Sequence, residues 1–432
     1  MEKRRSLSIG CPDFREPMPT TAPDLFSNDY LSITTNPHAR QAFLEKVSQL
    51  PFVFGAAGSR LLTGNNNSHT DFETRMSDFF GGPGCRASTA VLFNSGYDAN
   101  LSFWSTIPQK SDAVVFDELV HNSIRDGMVA SPLKAAGALY PFKHNSVASF
   151  RERVQNVLET HPNIASGEGM LFVAVETLYS MEGDYAPLLQ IFDAVDELIP
   201  KSSAHIMVDE AHTSSLFGPE GRGLLYALGL QARVHSVLHT HSKGWGVGGA
   251  TILTSAAIRK YLMLHARPFI YTTAPPHAHV CSLHIAFDYL TGPEGSELRD
   301  RLRSLSRYFE GVLQTALRHV PPDLLSLSER KIPEDYPSEI FSPIFPLTSR
   351  SPKLLEEFLR PLGYAVTAIP YPTVPRGKEG IRVVMHAGNT EEELDEFVTR
   401  LLQWVTMMQA LEEHRKENGE MIAWQSQERA KL

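Results

Sequence analysis

Cysteine is scarce in this chain of 432 residues: Cys11, Cys85 and Cys281 are the whole set, far apart and odd in number, with no C-x-x-C pair. That excludes a disulfide framework or a cysteine zinc site as the organising device and fits a reducing compartment. No run of 18 or more apolar residues occurs, so no membrane span is expected. Positive charge is in deficit: 40 Lys and Arg against 49 Asp and Glu leave a net charge of −9, which removes the electrostatic case for nucleic acid or an anionic membrane as the main partner. Internal repeats and low-complexity segments are also missing. Apolar residues are plentiful at 42%, and the length suits a large α/β domain with a smaller companion.

The chemistry concentrates between His205 and Gly248. The run Ile206-Met207-Val208 is too short for a helix and ends in charge, which suits a buried strand delivering Asp209 and His212 to a loop. A second short run, Val234 to Leu238, leads to Thr240, Ser242 and Lys243. Four glycines between Gly244 and Gly249 then let other atoms approach the lysine closely. Either half alone reads equally well as a plain strand end or a surface lysine. Together they bring an acid, an imidazole and an amine to one crevice. A desolvated lysine loses pKa and can form a Schiff base with an aldehyde, while a facing carboxylate keeps a pyridine nitrogen protonated. Those are the demands of pyridoxal 5'-phosphate (PLP). No metal site is expected.

V-D-E-A-H (Val208 to His212) followed by T-H-S-K-G-W-G (Thr240 to Gly246) resembles the α-oxoamine synthase family, PLP enzymes of fold type I that join an amino acid to an acyl-CoA with loss of carbon dioxide. The resemblance covers roughly residues 24 to 405, with several motifs in the family's order. It implies an α/β architecture: a large domain with a mostly parallel sheet and a smaller C-terminal α+β domain. It also implies that Lys243 bonds the cofactor and acts as base, that Asp209 faces the ring nitrogen, and that His212 serves the phenolic oxygen.

Taken in order, D-L-F-S-N-D-Y-L-S-I (Asp24 to Ile33) reads as a strand and turn, and its likeness to the family's F-x-S-N-D-Y-L-G implies that Asn28 lies near substrate. Ser32 replaces the family's glycine. Phe54 to Gly64 is a glycine-rich loop over a ligand, where the resemblance puts Arg60 on the substrate side; His69 and Glu73 beyond it are as readily a structural pair as a functional one. Ala90 to Asn100 reads as a strand turning into a helix, whose free N–H groups suit a phosphate, and Ser95, Gly96 and Tyr97 are implied to hold it. A plain strand-helix turn is the alternative. Asp117, His121 and Ser123 match the segment whose histidine stacks on the pyridine ring, although a lone histidine is usually structural. In Glu176 to Asp184 the resemblance places Ser180 on the cofactor and Glu176 toward substrate, and the helix Leu188 to Leu198 follows. Thr240 joins the cofactor set. Arg267 to Pro276 is a proline-ended segment whose Thr272 and Thr273 are implied to reach the phosphate of another subunit, making a homodimer necessary.

Strand and helix alternation from about 90 to 255 points to a parallel sheet with the site at its strand ends. Beyond it, a charged helix Glu294 to His319 precedes three short strands at 340–346, 364–369 and 381–385, backed by a helix Glu391 to Leu411. Arg382 on the last strand matches the family's L-R-I motif and suits a substrate carboxylate, since a guanidinium clamps one with two hydrogen bonds. A solvated strand arginine is the alternative. The expected division is an N-terminal segment 1–53, a PLP-binding domain 54–290, a small domain 291–411 and a polar tail 412–432.

The expected substrates are L-alanine and pimeloyl-CoA, on the route to biotin. Against this, Pro370 and Tyr371 stand where the bacterial segment has Arg-Pro, and Arg376 or Lys378 would have to replace that arginine. A fatty or polyketide acyl thioester in secondary metabolism is the alternative, and a PLP aminotransferase or lyase is the alternative of another class. The basic start M-E-K-R-R lacks an apolar signal core, and Ala430-Lys431-Leu432 is close to the S-K-L peroxisomal signal. A peroxisomal location, through the import receptor, is therefore the expectation, with the cytoplasm otherwise.

Overall fold

The structure, a computed structural model, describes residues 23–82 and 84–417, so the tripeptide Ala430-Lys431-Leu432 lies outside the described residues. Short runs of buried apolar residues build the main sheet. Its strands are β1 (Thr89–Phe93), β2 (Ala113–Asp117), β3 (Leu139–Phe142), β4 (Leu171–Glu176), β5 (Ala204–Asp209), β6 (Ser236–Thr240) and β7 (Ala250–Thr254), in the spatial order β1-β7-β6-β5-β4-β2-β3. The pairs from β3 through β6 are parallel, while β7 runs antiparallel to both β6 and β1. The core strands are buried along their whole length, as in a sheet covered on both faces. Helices supply the cover: Phe103 and Trp104 of Gly96–Thr106 meet Phe172 edge-on, and Phe150 of Val147–Thr160 does the same to Phe142.

The second sheet is antiparallel and smaller: β8 (Ser326–Leu327), β9 (Ile344–Thr348), β10 (Ala368–Ile369) and β11 (Gly380–Val384), in the order β10-β11-β9-β8. Two strands start several residues later than the apolar pattern suggests, and β8 carries too few residues to show a period. Long helices Pro293–Leu317 and Glu391–Glu417 back this sheet, with Phe309 against Phe345 at 4.9 Å and against Phe397 at 6.3 Å.

Residues 24 to 33 form no ladder strand, unlike the expectation from their apolar content. They lie along the end of β11 instead: Leu25 accepts from the Val384 amide at 2.9 Å and Tyr30 from the Ala387 amide at 2.7 Å. Burial of Leu25, Tyr30 and Leu31 fixes the segment there. A following helix, Pro37–Val47, is capped by Asn36, whose side chain accepts from the amides of His38 and Ala39. Its one buried residue is Ala39, so the sequence carries no apolar stripe to announce it. The expected segment 267–276 opens with a helical turn, Arg267–Ile270, before its prolines.

Candidate active site

Three parallel strand ends deliver the site. Glu176 and Asp209 close β4 and β5 in register with each other, Thr240 closes β6, and Lys243 follows three residues on. From the small sheet, β11 contributes Arg382.

Lys243 Nζ lies 2.8 Å from His212 Nε2. Desolvation, helped by Arg382, lowers the lysine pKa to about 8 against the opposing pull of Asp209 and Glu176, so about a tenth is free amine near neutrality, far more than for an ordinary lysine. His212 is buried, and desolvation with the nearby Lys243 holds it neutral. Asp209 is buried as well, yet its oxygens are served by Asn100 Nδ2 at 2.8 Å and the Ala211 amide at 2.8 Å. Glu176 beside it is different: desolvation and the Asp209 charge raise its pKa well above the carboxylate range, and it accepts from the His121 amide.

His121 caps the helix Asn122–Ala130 and is exposed, its Nδ1 held 2.7 Å from Ser123 Oγ. Arg382 is buried. It donates from Nη2 to Asn28 Oδ1 and from Nη1 to the Ser180 carbonyl, both at 3.2 Å, while its buried Nε has no partner among the described residues. Ser180 therefore enters through its backbone oxygen.

The helix Gly96–Thr106 begins beside the end of β6: a Cβ added at Gly96 would stand 2.5 Å from Thr240 Oγ1. Ser95 caps this helix by accepting from the Asp98 amide at 3.0 Å, and Tyr97 Oη donates to Asp126 at 2.6 Å. Within one chain Thr273 sits against the same turn, its carbonyl accepting from Asn94 Nδ2 at 3.0 Å, with Thr272 half-buried beside it.

This donor set fits PLP. A glycine-started helix beside a threonine hydroxyl suits a phosphate, Asp209 suits a protonated pyridine nitrogen, and a half-buried lysine with a lowered pKa suits an aldehyde. Residues 23–401 match the family model described as aminotransferase class I and II. The chain is 37% identical over 408 residues to the 8-amino-7-oxononanoate synthase of Emericella nidulans, covering 94% of this chain and 93% of that one. This chain belongs to the α-oxoamine synthase family. It is a PLP-dependent acyltransferase. The aminoacyl transferase sphA of Aspergillus fumigatus is 34% identical over 395 residues, 90% of this chain and 82% of the other. A serine palmitoyltransferase from S. paucimobilis, solved with a bound PLP-myriocin compound, superposes with a TM-score of 0.73 at 26% identity, over 88% of this chain and 86% of that one.

One expected substrate contact of this α-oxoamine synthase is not what the structure shows. Arg60 is buried and each of its guanidinium nitrogens has a partner within the protein: Nε donates to Asn65 at 2.8 Å, Nη1 to the Leu92 carbonyl at 3.2 Å and Nη2 to Glu73 at 2.9 Å. Glu73 pairs with Arg60 and Arg259 rather than with His69, which binds the Pro275 carbonyl. Two residues of the cluster carry no role in the sequence reading. Asn100 is legible only as a polar residue one turn beyond the Ser95-Gly96 helix start, and Tyr30 only as part of a turn.

Proposed function

We propose that this α-oxoamine synthase condenses L-alanine with pimeloyl-CoA, releasing CoA and carbon dioxide and giving 8-amino-7-oxononanoate. The observation that carries the reading is the convergence of Lys243, Asp209 and Arg382 from three separate elements on one crevice. PLP, when bound, supplies an electrophilic aldehyde and an electron sink. Lys243 would bond that aldehyde and then, once displaced, take and return the proton at the α-carbon. Asp209 would keep the ring nitrogen protonated, and Ser95, Gly96, Tyr97 and Thr240 would hold the phosphate. His121 would cover the ring, and Arg382 with Asn28 would hold the amino-acid carboxylate through the free Nε and the guanidinium edge. Thr272 and Thr273 would complete the phosphate site of a second copy.

Support for the acyl partner is the likeness to the Emericella enzyme and the surroundings of Lys378. Arg376 stacks on Tyr371 at 4.9 Å. Lys378 and Lys331, in contrast, line a cavity of about 440 Å³ with Met181, the neighbour of Ser180, and with Val374 and Pro375. A lysine there suits the far carboxylate of a dicarboxylic acyl chain. A second reading, a monocarboxylic acyl thioester, is favoured by Pro370 and Tyr371 and by the sphA likeness.

Purified protein with PLP, L-alanine and pimeloyl-CoA should release free CoA, and Lys243→Ala should abolish it. Turnover only with glycine, serine, succinyl-CoA or palmitoyl-CoA would overturn the substrate and keep the family. An amino-acid-dependent spectral change without CoA release would favour an aminotransferase or lyase.

A further inference from the structure

Tyr30 lies 182 residues before His212, yet its hydroxyl stands 2.5 Å from His212 Nδ1, while His212 Nε2 stands 2.8 Å from Lys243 Nζ. The three groups form a line that starts in the N-terminal segment and ends at the amine. Tyr30 is fully buried and meets the imidazole edge-on, ring centroids 6.1 Å apart. Its backbone is fixed independently of that contact. The Tyr30 carbonyl accepts from Ala387, and Asp29 beside it accepts from the amides of Ile33 and Thr34, each at 3.0 Å.

A neutral imidazole has one N–H and one lone pair, and the partner of one nitrogen decides which proton the other carries. A phenol buried this deeply keeps its proton, so Tyr30 donates and Nδ1 accepts. The ring proton is then on Nε2, aimed at the lysine nitrogen. An N–H pointed at an amine lone pair favours the uncharged amine. In the reversed tautomer Nε2 would accept from an ammonium and favour the charge.

We propose that Tyr30 is a positioning residue: its hydroxyl fixes the Nε2–H tautomer of His212 and so holds Lys243 as the free amine, a purpose that rests on the reading of Lys243 given above. Other groups face the lysine from every side: Asp209 from β5, Glu176 from β4, Arg382 from β11 and His121 from the start of Asn122–Ala130. Loss of one hydroxyl leaves all of them in place, so a change in the lysine's titration on that loss reports the tautomer.

The test uses the full-length chain freed of PLP. A short acetic anhydride pulse at stepped pH, from about 6 to about 11, labels the free amine of Lys243, and peptide mass spectrometry reads the fraction labelled. In Tyr30→Phe the half-labelling pH should rise by about one unit, roughly ten-fold less free amine near neutrality. An unmoved half-labelling pH in a variant with native near-ultraviolet circular dichroism overturns the proposal. Should Tyr30→Phe not fold, long-range nitrogen-proton correlation on wild-type chain labelled with ¹⁵N-histidine decides. The His212 signal, identified by its loss in His212→Gln, shows the Nε2–H pattern if the proposal holds and the Nδ1–H pattern if it does not. Neither measurement contains PLP. Failure of borohydride to fix PLP on Lys243 would therefore sink the functional reading and leave this result standing.

Discussion

Asn100 donates from one nitrogen to Asp209 Oδ2 at 2.8 Å and to Ser123 Oγ at 3.0 Å, and Ser123 Oγ in turn lies 2.7 Å from His121 Nδ1. A single amide thus ties the acid at the end of β5 to the histidine on the other side of the crevice. Asn100→Ala removes a hydrogen bond to a buried charge, about 1.5–3 kcal/mol. The expected result is a fall in kcat/KM of roughly 10- to 100-fold with weaker PLP binding and an unmoved acyl-CoA KM. Steady-state kinetics on both substrates and PLP titration check it.

Arg382→Ala should raise the amino-acid KM by about 100-fold, the loss of two charge-assisted hydrogen bonds at about 1.5 kcal/mol each, and leave the acyl-CoA KM unchanged. Arg382→Lys should not restore it, because an ammonium lacks the fork. An acyl-CoA KM that rises equally would move Arg382 to the other substrate.

At Gly96 an alanine Cβ would come within 2.5 Å of Thr240 Oγ1 and 3.2 Å of its Cγ2. One of the two must shift, at a cost of about 1–3 kcal/mol. Gly96→Ala should weaken PLP binding by roughly 10-fold or more, read by fluorescence titration of the cofactor-free chain. Native affinity would show that the helix start is not where the phosphate sits.

His144 gives the fold a pH dependence of its own. Desolvation opposes protonation, but hydrogen bonds and charge from Asp117, 2.8 Å away, and Asp184, 3.1 Å away, raise its pKa to about 10 from 6.5. A group raised in the folded state contributes fully below its unfolded pKa and loses that contribution as pH climbs through the folded one. Stability should therefore fall by several kcal/mol between about pH 6.5 and about pH 10, and His144→Gln should flatten that part of the curve. Urea unfolding at stepped pH measures both.

Phe54 is 88% exposed, Leu62 73% and Tyr271 73%, an apolar group tied together where Phe54 and Ser59 meet the 273–277 segment. Such a patch suits a second copy of this chain, as the proposed sharing of Thr272 and Thr273 requires. Phe54→Asp should leave the fold intact, lower the mass in light scattering from dimer to monomer, and cut CoA release with it. A monomeric wild-type chain that turns over would remove the dimer from the proposal.

Much of the large sheet is legible because central strands such as β4 and β5 are buried on both faces, so they appear as short apolar runs ending in a carboxylate. Gly248 to Thr254 reads as a strand too and becomes β7, but its antiparallel direction is not legible, since an apolar run carries no direction. β8 has two residues and no period. The helix at Pro37–Val47 buries almost nothing, so no stripe marks it. A guanidinium beside a glycine-rich loop reads as a ligand contact, and the partners of Arg60, Glu73 and the Leu92 carbonyl, come from elements the loop itself does not announce.

The sequence by itself determined the family, the cofactor chemistry and the side chains that arrive at the strand ends, because each reactive residue directly follows a local signal of a few residues. Tertiary structure alone decided which of these groups hold each other: Asn100 on Asp209 at a separation of 109 residues, Tyr30 on His212 at 182, and Arg382 on Asn28 at 354. Hydrogen bonds depend on distances of about 3 Å and on where protons sit. Spacing along a chain constrains neither until the two sheets and the N-terminal segment are packed together.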